Sequence, residues 1–191
     1  MSNSTKAGTL RVIEPPDSHY LSSATGWLEL GNHLESNLEL HKIDPLLRAH
    51  PDVMEVRWRI YARAKWWEAA LDLSHAIVRL APDRPSGYIF RALGLRRVKG
   101  LMSAWMSILP LVERFPNEPL ICFYLACFGC QMGNMEGARQ WLVKAAQRGV
   151  EDKERLMRLA LGEPDLLPLA PEFKALGLGS GSGAVARVQL F

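Results

Sequence analysis

The chain has 191 residues, of which 48% are apolar and 23% are charged. This composition predicts one folded domain with a sizeable core and argues against a disordered chain. The formal net charge of +3 is too small to indicate nucleic-acid binding by itself, because such proteins carry clustered basic residues. Residues 120–130 form the longest apolar run, which is too short to cross a bilayer, and the start of the chain lacks a signal-peptide core. We therefore expect a cytoplasmic protein without a membrane segment.

Residues 1–17 show no sustained period and are predicted to be a flexible N-terminal lead-in. A helical domain is predicted to follow over residues 18–176. Its first helix starts near Asp17 or Ser18 and carries apolar residues at a 3.6-residue period. Its second helix contains Pro45, which must kink or restart it.

One pattern of two amphipathic helices runs twice through residues 85–146. Ala104 and Ala138 lie 34 residues apart, as do Pro82 and Pro116. The helix break at Pro45 also returns 65 residues later, at Pro110. A fixed period of this length predicts a helical repeat array of about four units.

Four segments of different composition follow the last repeat unit. Residues 152–161 are rich in charge and are predicted to form a capping helix, which such arrays need at their ends. Residues 166–176 are apolar and are expected to pack on the last unit. Residues 177–183 have the composition of a Gly/Ser linker, and residues 184–191 form an apolar tail. This tail is either a native C-terminal segment or a tethered peptide joined through an engineered linker.

Several of these positions together are similar to the tetratricopeptide repeat (TPR) family, over about residues 20–147. The positions are Trp27, Leu30 and Gly31 at the spacing W-x-x-L-G, the second-helix alanines Ala69, Ala104 and Ala138, and the closing prolines Pro82 and Pro116. The resemblance implies an all-α fold, a right-handed superhelix of about four helix-turn-helix repeats with a C-terminal capping helix. It also implies an inner surface that binds peptides or partner proteins.

Projecting the first helix of each unit onto the family geometry assigns residues to a peptide-binding groove. They are Leu28, Asn32, Glu35, Met54, Trp58, Tyr61, Lys65, Ile89, Leu93, Arg96, Arg97, Phe123, Cys127, Cys130 and Gln131. An apolar and aromatic groove with a basic rim suits an extended peptide that has apolar side chains and an acidic group. The alternative is that Trp58 and Tyr61 pack on neighbouring helices while the arginines are solvated.

Chemical sites of other kinds find little support. Cys127 and Cys130 stand at a metal-ligand spacing, but no second pair of cysteines or nearby histidines completes four ligands. The five histidines match no nucleophile pattern, and no glycine-rich phosphate loop is present. We therefore expect no enzyme: no catalytic residues, no metal and no cofactor.

The sequence thus predicts a non-catalytic protein- or peptide-binding repeat module, an adaptor or scaffold. Its partner would be a protein or peptide ligand, with the tail 184–191 as one candidate, and the chain itself would be a monomer or weak homodimer. The alternative is a nucleic-acid-associated repeat protein that uses a basic band. That band comprises Arg57, Arg59, Arg63, Lys65, Arg91, Arg96, Arg97 and Lys99. Nucleic acid is disfavoured because Glu55, Glu68 and Asp72 are interleaved with the band.

Overall fold

The computed structural model describes residues 12–149, 156, 158–160 and 163–173. These residues form helices and turns without a strand among them, which confirms the predicted all-α class. The chain divides into two compact units, residues 1–60 and residues 61–191. The predicted linker 177–183 and tail 184–191 lie outside the described residues, as does most of the lead-in. The single domain predicted over residues 18–176 stays a prediction.

Unit 1 contains a pair of packed helices, α1 (Asp17–Glu29) and α2 (His33–Lys42). A short 3₁₀ turn follows over Pro45–Leu47, and α3 (Pro51–Arg63) begins in this unit and ends in unit 2. Pro45 starts the 3₁₀ turn after α2 has ended, so the predicted interruption at this proline is confirmed.

Two aspartates fix the connection between α2 and α3. The Asp44 carboxylate accepts a hydrogen bond from the backbone N–H of Leu46 at 2.9 Å and so caps the 3₁₀ turn. Asp17, one of the two predicted start positions of the first helix, lies in the first turn of α1, and its Oδ1 accepts a hydrogen bond from the Asp44 N–H at 2.8 Å. The α1 terminus is thereby tied to the end of the helix pair.

Unit 2 consists of six α-helices along residues 67–148, followed by a short C-terminal segment. The helices are α4 (Trp67–Leu80), α5 (Pro85–Val98), α6 (Leu101–Ile108), α7 (Leu111–Arg114), α8 (Pro119–Gln131) and α9 (Met135–Arg148). The α4 helix packs on α5, α5 packs on α6, and α8 packs on α9. Pro110 separates α6 from α7, so the second predicted proline break is confirmed as well.

The C-terminal segment of unit 2 is helical where it is described, and part of it packs against α8. Residues 156 and 158–160, inside the predicted capping helix, are helical; the rest of that prediction lies outside the described residues. A 3₁₀ helix follows at Pro164–Leu169, and α10 occupies Ala170–Phe173. The 3₁₀ helix packs against α8 and buries Leu166 and Leu169. The expectation that the apolar segment packs on the last helix pair is confirmed for these residues.

Four helix-turn-helix connections share one backbone feature: a residue in the left-handed region. The residues are Gly31, Lys65, Gly100 and Gly133, at φ of 81°, 61°, 93° and 76°. The spacing between them is 34 residues from 31 to 65, 35 from 65 to 100, and 33 from 100 to 133. Only glycine adopts this conformation without strain, so Lys65 is the costly member of the set. The sequence period is therefore also a period of the backbone.

Hydrogen bonds repeat at these turns in the same way. Asn32 N–H donates to the Trp27 carbonyl at 2.8 Å, and Asn134 N–H donates to the Gly129 carbonyl at 2.9 Å. Both bonds span five residues and close the preceding helix in the manner of a Schellman motif. Each asparagine then caps the next helix, through the Glu35 N–H at 3.1 Å and the Gly137 N–H at 3.0 Å.

Small residues bring α8 and α9 close together. A Cβ atom placed on Gly129 would lie 3.1 Å from the Cβ of Ala138, which is itself fully buried. A side chain larger than alanine at either position would push the two helices apart. Ala138 is the position that the repeat assigns to the helix crossing.

Candidate functional site

A pocket that opens to solvent lies in unit 2, between α4, α5, α8 and the residue before the 3₁₀ helix. The space between its walls, counted together with the open solvent at its mouth, is about 380 Å³. The pocket is lined by Trp67, Leu93, Arg96, Arg97, Tyr124 and Glu163. The α5 residues lie at positions i, i+3 and i+4, so a single face of that helix supplies the apolar and the cationic lining.

One wall of the pocket pairs a cation with an aromatic ring. The Arg97 guanidinium carbon lies 5.0 Å from the centroid of the Trp67 ring. Trp67 is the first residue of α4, and the left-handed Lys65 two residues earlier sets the direction in which this helix begins. A cation–π contact at an exposed site contributes about 0.5–1 kcal/mol, so it orients Arg97 while leaving its N–H groups available to a ligand.

The neighbouring arginine has a different set of partners. Arg96 Nη2 lies 3.2 Å from Asp165 Oδ2, and its guanidinium carbon lies 5.9 Å from the centroid of Phe128. Asp165 Oδ2 also accepts a hydrogen bond from Gln131 Nε2. Arg96 of α5 and Gln131 of α8 thus both bind the Asp165 carboxylate at the start of the 3₁₀ helix.

Glu163 places a second carboxyl group in the same pocket. Burial, together with the negative charge and side-chain hydrogen bond of Asp165, raises the pKa of Glu163 from its ordinary 4.5 to about 7. The Arg96 guanidinium opposes this rise. The carboxyl group of Glu163 therefore keeps its proton to a higher pH than an ordinary glutamate does.

Cys127 lies near these two acids and is fully buried in α8. Burial raises the pKa of the Cys127 thiol well above its ordinary value, and the charges of Glu163 and Asp165 act in the same direction. The thiol therefore stays protonated near neutral pH and packs as a small apolar side chain.

Four residues predicted for the groove meet at this site. Leu93, Arg96 and Arg97 line the pocket, and Gln131 reaches it through Asp165. Tyr61 lies in the last turn of α3 and Lys65 in the turn before α4, and neither lines the pocket. The Tyr61 ring lies 5.7 Å from that of Trp66 at a tilt of 48°, a packing contact of the kind that the alternative interpretation describes.

Several other predicted groove residues are core side chains. Their burial is the opposite of what an accessible groove requires, so their assignment is corrected for Met54, Trp58, Ile89, Phe123 and Cys127. In α8 all residues from 121 to 129 are buried, because α9 packs on this helix and the 3₁₀ helix covers it as well. For Trp58 the alternative stated above, packing on neighbouring helices, agrees with its complete burial.

The predicted groove residues of unit 1 also have structural roles. Leu28 is buried in α1. Asn32 is exposed, and its side chain is engaged as the cap of α2 through the backbone N–H of Glu35. The projection onto the family geometry placed both side chains in a peptide-binding groove, whereas one is buried and the other caps a helix.

Four residues of the site were not predicted from the sequence: Trp67, Tyr124, Glu163 and Asp165. Trp67 is the first residue of α4, directly after the turn that separates this helix from α3. Glu163 and Asp165 flank Pro164 just before an apolar segment. The signal in the sequence was a pair of acidic residues directly before an apolar segment that was expected to pack on the helices. Such acids are placed to meet a basic side chain such as Arg96.

No protein-family model matches the chain, and no curated protein matches it. Within the described ranges, no group of three or more His, Cys, Asp and Glu side chains is placed to hold a metal ion. No helix in the described part of the chain combines the length and apolar character needed to span a membrane.

Proposed function

We propose that the protein is a non-catalytic binding module, an adaptor or scaffold, that takes an acidic side chain of an extended peptide into the pocket on α5. The observation that carries this proposal is the Arg97 guanidinium, held 5.0 Å from the Trp67 ring at an open pocket lined by Leu93 and Tyr124. Arginine beside aromatic residues is the composition of energetically dominant interface positions.

The charges of the pocket define which group of the ligand would enter. Arg96 already faces Asp165, whereas Arg97 has no carboxylate at ion-pair distance among the described residues. A peptide carboxylate would therefore pair with Arg97 and leave the Arg96–Asp165 contact intact. Leu93 and Tyr124 are mostly buried, so only the edges with which they line the pocket would contact an apolar side chain next to the acidic residue.

The family assignment belongs to the same proposal. Four left-handed turn residues at a spacing of 33 to 35 support a tetratricopeptide-type array. A right-handed superhelix whose first helices present the ligand site is the arrangement that this assignment implies. The capping helix that the sequence predicts over residues 152–161 would close the array.

Binding of labelled peptides tests the proposal directly. Peptides with Asp or Glu next to Leu or Phe are compared, by fluorescence anisotropy, with the same peptides carrying Asn or Gln. We expect the acidic peptides to bind more tightly, and Arg97→Gln to weaken them about tenfold because a charge-assisted hydrogen bond is lost. Arg79→Gln, at an exposed position of α4, is the matched control and should leave the affinity unchanged.

Equal affinity for the acidic and amide peptides, or equal effects of the two arginine variants, would contradict the proposal. Binding of a single-stranded oligonucleotide with a steep dependence on salt would favour the nucleic-acid alternative instead.

A further inference from the structure

The helix pair of unit 1 exposes large apolar side chains that lie close together in the chain. Leu30 is 77% exposed, Leu34 69%, Leu38 54% and Leu46 81%. Single exposed leucines are ordinary on a protein surface, whereas neighbouring ones on a single helix face mark an interaction site. Leu34 and Leu38, which both belong to α2, are here named the leucine surface; they have no role in the pocket of unit 2.

The helical period places the centre of this surface on one face of α2. Ser36 and Leu40 are the buried residues of the helix and face α1. Leu34 and Leu38 lie four residues apart, half a turn away from the buried pair, so they point together to the opposite side. Among the described residues of unit 1, no segment covers that side.

The charges beside the leucines identify a partner. Glu35 and Lys42 are two helical turns apart and therefore lie along the same edge of the exposed face, acidic near the start of α2 and basic near its end. When two copies of α2 pair antiparallel about a twofold axis, the same edge of each helix lies beside that of the other, and the two edges run in opposite directions. Glu35 of each copy therefore faces Lys42 of the other. A parallel pair lacks this match.

The existing contacts of Lys42 leave room for such pairing. Lys42 Nζ lies 2.7 Å from Glu39 Oε1 within the same helix and 5.7 Å from the centroid of the Tyr20 ring on α1. The Lys42 side chain is half exposed, whereas Glu39 is only 15% exposed and keeps its contact with Lys42. Because the ammonium group carries three N–H donors, Lys42 can also donate to a carboxylate of a second chain.

We propose that the leucine surface is a homodimer interface, in which α2 of one copy packs antiparallel on α2 of a second copy about a twofold axis. The leucines form the apolar centre of the contact, and the two Glu35–Lys42 pairs lie at its edge and fix the direction of the helices. This inference is independent of the proposed peptide-binding pocket.

Sedimentation equilibrium of the full chain tests the proposal. We expect a concentration-dependent dimer for the unchanged protein, and Leu34→Glu or Leu38→Glu to weaken the dimer at least about tenfold. Leu80→Glu is the matched control, because Leu80 is 51% exposed but lies on α4. Circular dichroism should show the same helical content for all variants, since each position is exposed.

A charge exchange tests the antiparallel direction separately. Glu35→Lys and Lys42→Glu should each weaken the dimer, and the double variant should recover most of the affinity because both edge pairs are restored with opposite polarity. A protein that is monomeric at all concentrations would overturn the proposal. A dimer unaffected by Leu34→Glu and Leu38→Glu, or a double variant no tighter than either single variant, would overturn it as well.

Discussion

Replacing Glu163 by glutamine should stabilise the protein above neutral pH, because the structure holds this carboxyl group where a charge is unfavourable. Its pKa rises from 4.5 to about 7, which corresponds to about 3 kcal/mol of preference for the neutral form. Glu163 is only partly buried, and solvent screening reduces this to about 1–2 kcal/mol. Glutamine keeps the shape of the protonated side chain and removes the charge.

The sign of the pH dependence follows from proton binding. Between pH 4.5 and about 7 the folded protein holds a proton on Glu163 that the unfolded chain has already released. The free energy of unfolding therefore falls as the pH rises through this range, and the loss is complete above pH 7. Below pH 4.5 both states are protonated, and the Glu163 contribution no longer changes.

Urea unfolding at several pH values between 4.5 and 8 measures the effect. The variant Glu163→Gln should gain about 1–2 kcal/mol over the unchanged protein at pH 8, and this gain should disappear toward pH 4.5. Glu113→Gln, at an exposed position of α7, controls for the loss of a surface charge. A stability difference that does not vary with pH would refute the assigned electrostatic cause.

Three further changes test the turns and the packing. Lys65→Gly should raise the free energy of unfolding by about 0.5–1 kcal/mol, since glycine relieves a left-handed φ of 61°; a loss of stability in urea would contradict this. Ala138→Leu should cost about 1–3 kcal/mol by overpacking the contact with α8, and an unchanged melting temperature would show that the helix crossing is misassigned. Leu166→Ala should cost about 2–4 kcal/mol, whereas its exposed neighbour Leu167→Ala should cost less than about 0.5 kcal/mol; similar thermal shifts for the two would mean that the 3₁₀ helix does not pack as described.

The local elements were predictable because they depend on nearby residues. The helix-turn-helix connections, the break at Pro45 and the break at Pro110 each follow from short-range patterns, and the structure confirms them. The left-handed turn at Lys65 was not evident, because the chain places lysine where its other three connections place glycine. Spacing alone located the turn; the residue type did not.

The groove was less predictable, because exposure depends on which distant segments pack together. Phe123 and Cys127 are residues that the projection onto the family geometry assigned to the groove. The 3₁₀ helix, more than thirty residues later, packs on α8, and both side chains are buried. A helix that is apolar on all sides carries no period from which its covered faces can be assigned. Three of the predicted residues on α5, Leu93, Arg96 and Arg97, nevertheless line the observed pocket.

Arg96 and Arg97 illustrate why residue type and position do not by themselves determine a role. They are adjacent in α5, and the sequence offers no basis for treating them differently. One step around the helix brings Arg96 within 3.2 Å of Asp165, so its charge helps to hold the C-terminal segment on α8. Arg97 is turned toward Trp67 and remains exposed. The segment that buries the predicted groove on α8 therefore also supplies, through Glu163, one side of the pocket in which Arg97 lies.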